Sequence, residues 1–264
     1  MTKQQEKLMN QFKYIVLGAA LVLMLLVTAM VFLRTRNPNA GLRPNPYDPE
    51  DFAIRDGYMT CLAGESWLGV DVSYHQGKIR WDEVADAGVR FAMLRLGHRA
   101  VSDGVVRLDT RWEENYTGAR EAGLPVGVYF YSQAISVEEA REEAAFVLDA
   151  LDGRRLDFPV VFDWEIYSAA GRNANMDPET VNACAIAFCE EILKGGYEPM
   201  VYFNLDLDNR FWDLENLQQQ GYGFWLAMYR DTMNWPYEAA MWQYTDKGKV
   251  DGIDTPVDLN LYFP

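Results

Sequence analysis

Asp163 and Glu165 stand one residue apart in the segment PVVFDWE at 159–165. The apolar run before them reads as a β-strand, and side chains along a strand alternate faces, so the two acids project together while Trp164 points the other way. Two carboxyls held this close cannot both ionise freely. The less solvated one has a raised pKa and keeps a proton available for donation near neutral pH. Paired carboxyls of this kind do the acid chemistry of glycosidases. An isolated D-x-E also fits a helix cap or a solvated strand end, so the pair acquires meaning only from what surrounds it.

Other acids and aromatics stand at the ends of other apolar runs. Asp71 lies in GVDVS and Asp258 in VDLN. Trp225, Tyr229, Trp242 and Tyr244 offer flat apolar faces on which sugar rings could stack, and each equally suits core packing.

The elements that must position these residues begin at Trp67. Short apolar runs at 68–74, 90–97, 125–132, 159–165 and 199–204 alternate with amphipathic stretches at 81–88, 111–123, 137–151 and 178–196. That rhythm is the mark of β-α units around a parallel sheet, the α/β class, and catalytic groups of β/α barrels sit at the C-terminal ends of the strands. After Asn204 the rhythm changes. GFWLAMY, EAAMWQYT and TPVDLNLYF read as strands whose last connections are too short for crossover helices, so the barrel is expected to finish irregularly. No repeat of fixed period argues for a solenoid or propeller.

The 264 residues carry 24 Lys/Arg against 39 Asp/Glu, a formal charge of −15. Residues 1–50 hold six of the cations and three of the acids, which leaves 18 and 36 in a strongly acidic remainder. Such a surface repels phosphate backbones, and no basic stripe with interleaved aromatics occurs, so nucleic acid is excluded as a partner. Cys61, Cys184 and Cys189 form an odd set without C-x-x-C, which suits buried structural thiols. His75 and His98 are too few for a histidine metal cluster, and no cofactor or metal is expected.

Residues 14–32, YIVLGAALVLMLLVTAMVF, run without a charge, and the apolar run continues to Leu33. At 1.5 Å per residue a helix of this length spans about 28 Å, close to the hydrocarbon thickness. A cleaved signal peptide is the competing reading, given Lys3, Lys7 and Lys13 before the run and the small residues near Val27-Thr28-Ala29. The extra length favours an uncleaved anchor at 14–33 in the lipid bilayer. Arg34, Arg36 and Arg43 offset the preceding lysines, so charge does not set the orientation; the large acidic domain does, with residues 1–13 cytoplasmic and the domain outside. Residues 34–66 begin with a proline-rich stretch and read as an extracellular linker, followed by a catalytic domain at 67–264.

Five ordered blocks carry a family resemblance: GVDVSYHQGKIRWDEVADAGVRFAMLRLG, NYTGAREAGLPVGVYFYSQA, PVVFDWE, the pair WLAMY and MWQYTDKGKVDGI, and VDLN. In these blocks residues 67–264 resemble glycoside hydrolase family 25, the Chalaropsis-type lysozymes. The resemblance implies a flattened, irregular TIM-like barrel of about eight strands and five helices, and cleavage of the β-1,4 bond between N-acetylmuramic acid and N-acetylglucosamine in peptidoglycan glycan strands. Glu165 would be the general acid. Asp163 would act as nucleophile or steady a ring intermediate formed by the substrate's own N-acetyl group, and Asp71 and Asp258 would complete the acidic cluster. Substrate contact falls to Tyr131, Tyr202, Trp225, Tyr229, Gln243 and Arg95, although an Arg95 buried against an acid is an equal alternative. SAAGRNANMD after Glu165 reads as a loop over the site. Two other readings keep the same cleft: a non-hydrolytic peptidoglycan-binding scaffold, and a barrel glycosidase acting on another polysaccharide.

Overall fold

The computed structural model describes residues 12, 13, 15–25, 28, 41–205 and 210–264. The chain divides into two compact units, Met1–Gly41 and Leu42–Pro264. In the first, residues 15–25 are helical with their apolar side chains exposed. Among the described residues no helix is long and apolar enough to cross a membrane. Positions 14, 26, 27 and 29–33 of the expected span lie outside the described residues, as do 1–11 and the start of the linker at 34–40.

The second unit starts earlier than the sequence rhythm suggests. A hairpin of β1 (Phe52–Arg55) and β2 (Tyr58–Cys61) precedes the barrel. Its turn is Asp56-Gly57, both at positive φ (53° and 88°), the conformation that matches a tight hairpin to strand twist. Leu42, Phe52, Met59 and Cys61 are buried, and the Phe52 ring meets Trp242 edge-on at 5.3 Å. The linker expected over 34–66 is therefore folded onto the barrel from Leu42 onward. Four-residue strands carry too short an alternation to stand out among the prolines.

The barrel strands are β3 (Trp67–Val72), β4 (Phe91–Arg99), β6 (Val126–Ser132), β7 (Val160–Trp164), β8 (Pro199–Asn204), β9 (Gly223–Ala227), β10 (Met241–Gly248) and β11 (Val257–Tyr262). They pair in the order β3-β11-β10-β9-β8-β7-β6-β4, and β3 against β4 closes the ring. A short β5 (Val106–Leu108) pairs with the far end of β4, on Gly97 to Arg99, beyond the residues that pair with β3. From β3 through β10 the barrel pairings are parallel; β11 runs antiparallel to both neighbours, which is the irregular finish expected from the short connections. Five α-helices of this unit are described in full: α1 (Trp81–Asp86), α2 (Trp112–Glu121), α3 (Val137–Leu151), α4 (Pro178–Lys194) and α5 (Leu214–Gln219). Ser136 and Asp177 cap α3 and α4 by accepting hydrogen bonds from the backbone N–H of Glu139 and Thr180. Cys61, Cys184 and Cys189 are buried free thiols.

The barrel interior is filled below the site. Phe91, Met93, Phe158, Val161, Met200 and Met241 form one buried cluster, with Phe91 stacked on Phe158 at 4.6 Å. A Cβ at Gly69 would lie 2.2 Å from the Phe91 ring, so glycine is what lets β3 and β4 close over that plug. Gly69→Ala is expected to destabilise the domain by about 1–3 kcal/mol, as overpacking of a filled core does. The check is a fall in denaturation midpoint at constant m-value; an unchanged midpoint would mean that the ring has room to yield.

Candidate active site

All four predicted acids meet at one end of the barrel. Asp71 sits near the end of β3, Asp163 near the end of β7, and Glu165 is the first residue past that strand. Asp258 lies at the start of β11, whose reversed direction puts its N-terminal end level with the other strands' C-terminal ends; its register partner is Asp71. The acids line a cleft of about 340 Å³ together with Arg95, Tyr131, Tyr202, Trp225, Tyr229 and Gln243. Ser73, His75, Gln76 and Tyr129 also line it and were not anticipated. Strand alternation could have indicated Tyr129, two residues before Tyr131 on β6.

Trp164 points outward, as alternation required. Its Nε1 donates to the Ala134 carbonyl (3.0 Å) and its ring packs against Phe211 and Trp212, which fixes the end of β7 with both acids facing the cleft. Trp242 is not at the site. It is fully buried, donates from Nε1 to the Met228 carbonyl (2.8 Å) and packs on the N-terminal hairpin. Arg95 lines the cleft, and its acid partner is Asp109, reached at 2.8 Å, rather than one of the four acids.

Asp71 is the anchored member of the cluster. Its Oδ2 accepts from Gln243 Nε2 (2.9 Å) and Asn260 Nδ2 (2.8 Å). Gln243 Oε1 in turn accepts from the Tyr202 and Tyr229 hydroxyls, and Asn260 Oδ1 from Trp225 Nε1. One carboxylate thus orders two tyrosines and a tryptophan through two amides. Asn260 shares a strand face with Asp258, two residues away, but its Asp71 partner is 189 positions distant, which no local pattern reveals.

Burial raises the pKa of every acid in the cluster, and mutual repulsion adds to it. Glu165 is pushed up to about 7, first by burial, with a hydrogen bond from Asp163 opposing and the Asp71 charge reinforcing. Asp163 is raised by burial, then by the charges of Glu165 and Asp71, while the Arg95 guanidinium draws it back toward the anion. Asp258 reaches about 9 through burial and the Asp71 charge. Asp163 and Glu165 lie close enough to act on one another: the interaction between their side chains raises the pKa of Asp163 and lowers that of Glu165. Asp163 Oδ1 is buried and has no hydrogen-bond partner among the described residues.

The backbone of Glu165 is clamped from behind. Its carbonyl accepts from Gln133 Nε2 (2.7 Å) and Asn173 Nδ2 (2.8 Å), both fully buried side chains. Arg172 ties the same loop to α3 through Glu139 and to the Gln133 carbonyl. The loop after Glu165 therefore braces the acid; none of residues 166–177 lines the cleft. Asn173→Ala is expected to lower kcat about tenfold or more with little change in KM, because a small displacement of a proton donor is enough to slow transfer. A variant that loses KM alone would place Asn173 in substrate binding instead.

A barrel that gathers a buried carboxyl pair and two further acids in one cleft at its strand ends has the groups that glycoside hydrolysis needs. Consistent with that, the pattern of Glycosyl hydrolases family 25 matches residues 70–253, and the chain belongs to this family. It is 29% identical over 238 residues to the uncharacterized protein YegX of Escherichia coli (strain K12), covering 84% of this chain and 75% of that one. Against the autolytic lysozyme of Clostridium acetobutylicum it is 25% identical over 195 residues, covering 74% and 55%. The fold is shared with the modular autolysin LytC from Streptococcus pneumoniae, solved in complex with a synthetic peptidoglycan ligand: TM-score 0.65, 22% identity, 81% of this chain and 58% of that one.

Proposed function

We propose that this chain is an N-acetylmuramidase that cleaves the β-1,4 bond between N-acetylmuramic acid and N-acetylglucosamine, with retention and assistance from the substrate's acetamido group. The observation that carries this reading is the Asp163–Glu165 pair, two carboxyls at one strand end that face the same cleft, each with its pKa raised by burial. Two carboxyls this close suit a retaining site, where they stand about 5–5.5 Å apart, better than an inverting one, which leaves about 6.5–9.5 Å for a water. Glu165, with its pKa near 7, gives its proton to the leaving oxygen. Asp163 faces the same cleft, and its buried, unpartnered Oδ1 accepts the acetamido N–H as the carbonyl oxygen attacks the anomeric carbon. Asp71, through the two amides on its Oδ2, holds Trp225, Tyr202 and Tyr229 in place for the sugar. Relatives named as lysozyme and autolysin point to the same polymer.

A glycosidase for another polysaccharide would use the same cleft, and a substrate panel separates the two. Release of reducing ends from peptidoglycan with chitin oligomers left intact supports the muramidase; the reverse selects the alternative.

The same reading places the catalytic domain outside the cell, held by the charge-free run at 14–33 as an uncleaved, single-pass membrane anchor. The exposed apolar helix at 15–25 and the external location of peptidoglycan support it. The full chain should stay in the membrane pellet through alkaline carbonate extraction, and release into the supernatant would contradict the anchor.

A further inference from the structure

We propose that a second cavity, beside the cleft, binds the peptide carried by muramic acid: a short chain with free carboxylates and an amine. The proposal rests on the muramidase reading and extends it to the part of the substrate that no glycan subsite holds.

The cavity is about 590 Å³ and shares Tyr229 with the cleft. Tyr229 forms a common wall of the two spaces, and the charge of Asp246, which lines the second, reaches Asp258 and Tyr229 in the first. One wall is the N-terminal hairpin, which lies outside the family-matched segment 70–253, and the other is the far end of β10 with the loop after β9. The site thus lies between the barrel and the two-stranded sheet that precedes it.

Its charges suit a peptide better than a sugar. Arg80, Arg95, Arg99 and Arg172 of this acidic domain each hold a carboxylate. Arg230 and Lys249, in the cavity wall, have none within 4 Å among the described residues; the Arg230 guanidinium donates to Asn234 Oδ1. Asp56 and Asp231 line the same space, so cations and acids are offered together. N-acetylated sugars carry no charge to satisfy either set once the lactyl carboxyl is amide-linked. A stem peptide carries both signs, and it leaves the glycan sideways from O3 of muramic acid, as a lateral cavity requires. Ile54, 63% exposed on the hairpin, supplies an apolar lip for alanine methyls.

Titration calorimetry on full-length Glu165→Gln protein tests this, with two soluble probes: a muramic-acid-containing tetrasaccharide bearing tetrapeptides, and the same glycan stripped of them. The peptide-bearing probe should bind about tenfold tighter, as two partly exposed ion pairs allow. Arg230→Ala with Lys249→Ala should erase that advantage and leave the stripped probe unaffected. Equal affinities for the two probes, an advantage that survives the double substitution, or a loss shared by both probes would overturn the proposal; the last outcome would make the cavity a glycan subsite. If neither probe binds and wild-type protein releases no muramic ends, the muramidase reading fails first.

Discussion

Glu165→Gln lowers kcat by about a thousandfold, within the range general acid catalysis contributes, and leaves KM within about twofold. The amide preserves shape and hydrogen bonding but cannot release a proton to the leaving oxygen. Wild-type activity should fall as pH rises through about 7, because the raised pKa of Glu165 keeps the acid form only below that value. The stability consequence has the opposite benefit for the variant. A carboxyl whose folded pKa is raised contributes stability that is fully present below its unfolded value near 4.5 and lost as pH rises toward about 7. Gln does not titrate, so the variant loses less stability over that interval and should melt at the same temperature as wild type or higher at pH 8. A variant both inactive and markedly less stable at pH 8 would point to a structural role for Glu165.

Asp163→Asn lowers kcat by about 10²–10³-fold, the usual effect of removing a charge aimed at the transition state. The more telling comparison uses glycan whose muramic residues lack the N-acetyl group. If Asp163 works by directing the acetamido oxygen, wild type slows severely on that substrate, and Asp163→Asn adds little further loss because the two changes remove one interaction. Normal turnover of the deacetylated glycan would instead make Asp163 a covalent nucleophile.

Much of the site was readable because its residues sit on strands with clear alternation. PVVFDWE, GVDVS and VDLN each place an acid at the edge of an apolar run, and the barrel brings those edges together. What stayed hidden depends on pairings across the ring. Asn260 and Gln243 reach Asp71 from 189 and 172 positions away, and only closure of β3 onto β11 and β4 creates those contacts. Ser73, His75 and Gln76 reach the cleft from a single 3-10 turn, Tyr74–Gln76, and its N-cap Ser73, which have no periodicity to detect. Trp242 and Trp225 were indistinguishable as aromatic candidates, yet they lie on different strands and face opposite ways, one to the hairpin and one to the cleft. Asp109, the partner of Arg95, stands just beyond the three-residue β5, too short to register as a strand.

A muramidase is defined by the bond it cuts. Full-length protein incubated with purified peptidoglycan, followed by borohydride reduction and mass analysis of the released fragments, decides it. Fragments ending in reduced N-acetylmuramic acid are expected with wild type and should be lost with Glu165→Gln. Fragments ending in reduced N-acetylglucosamine, or no soluble fragments from folded wild-type protein, would contradict it.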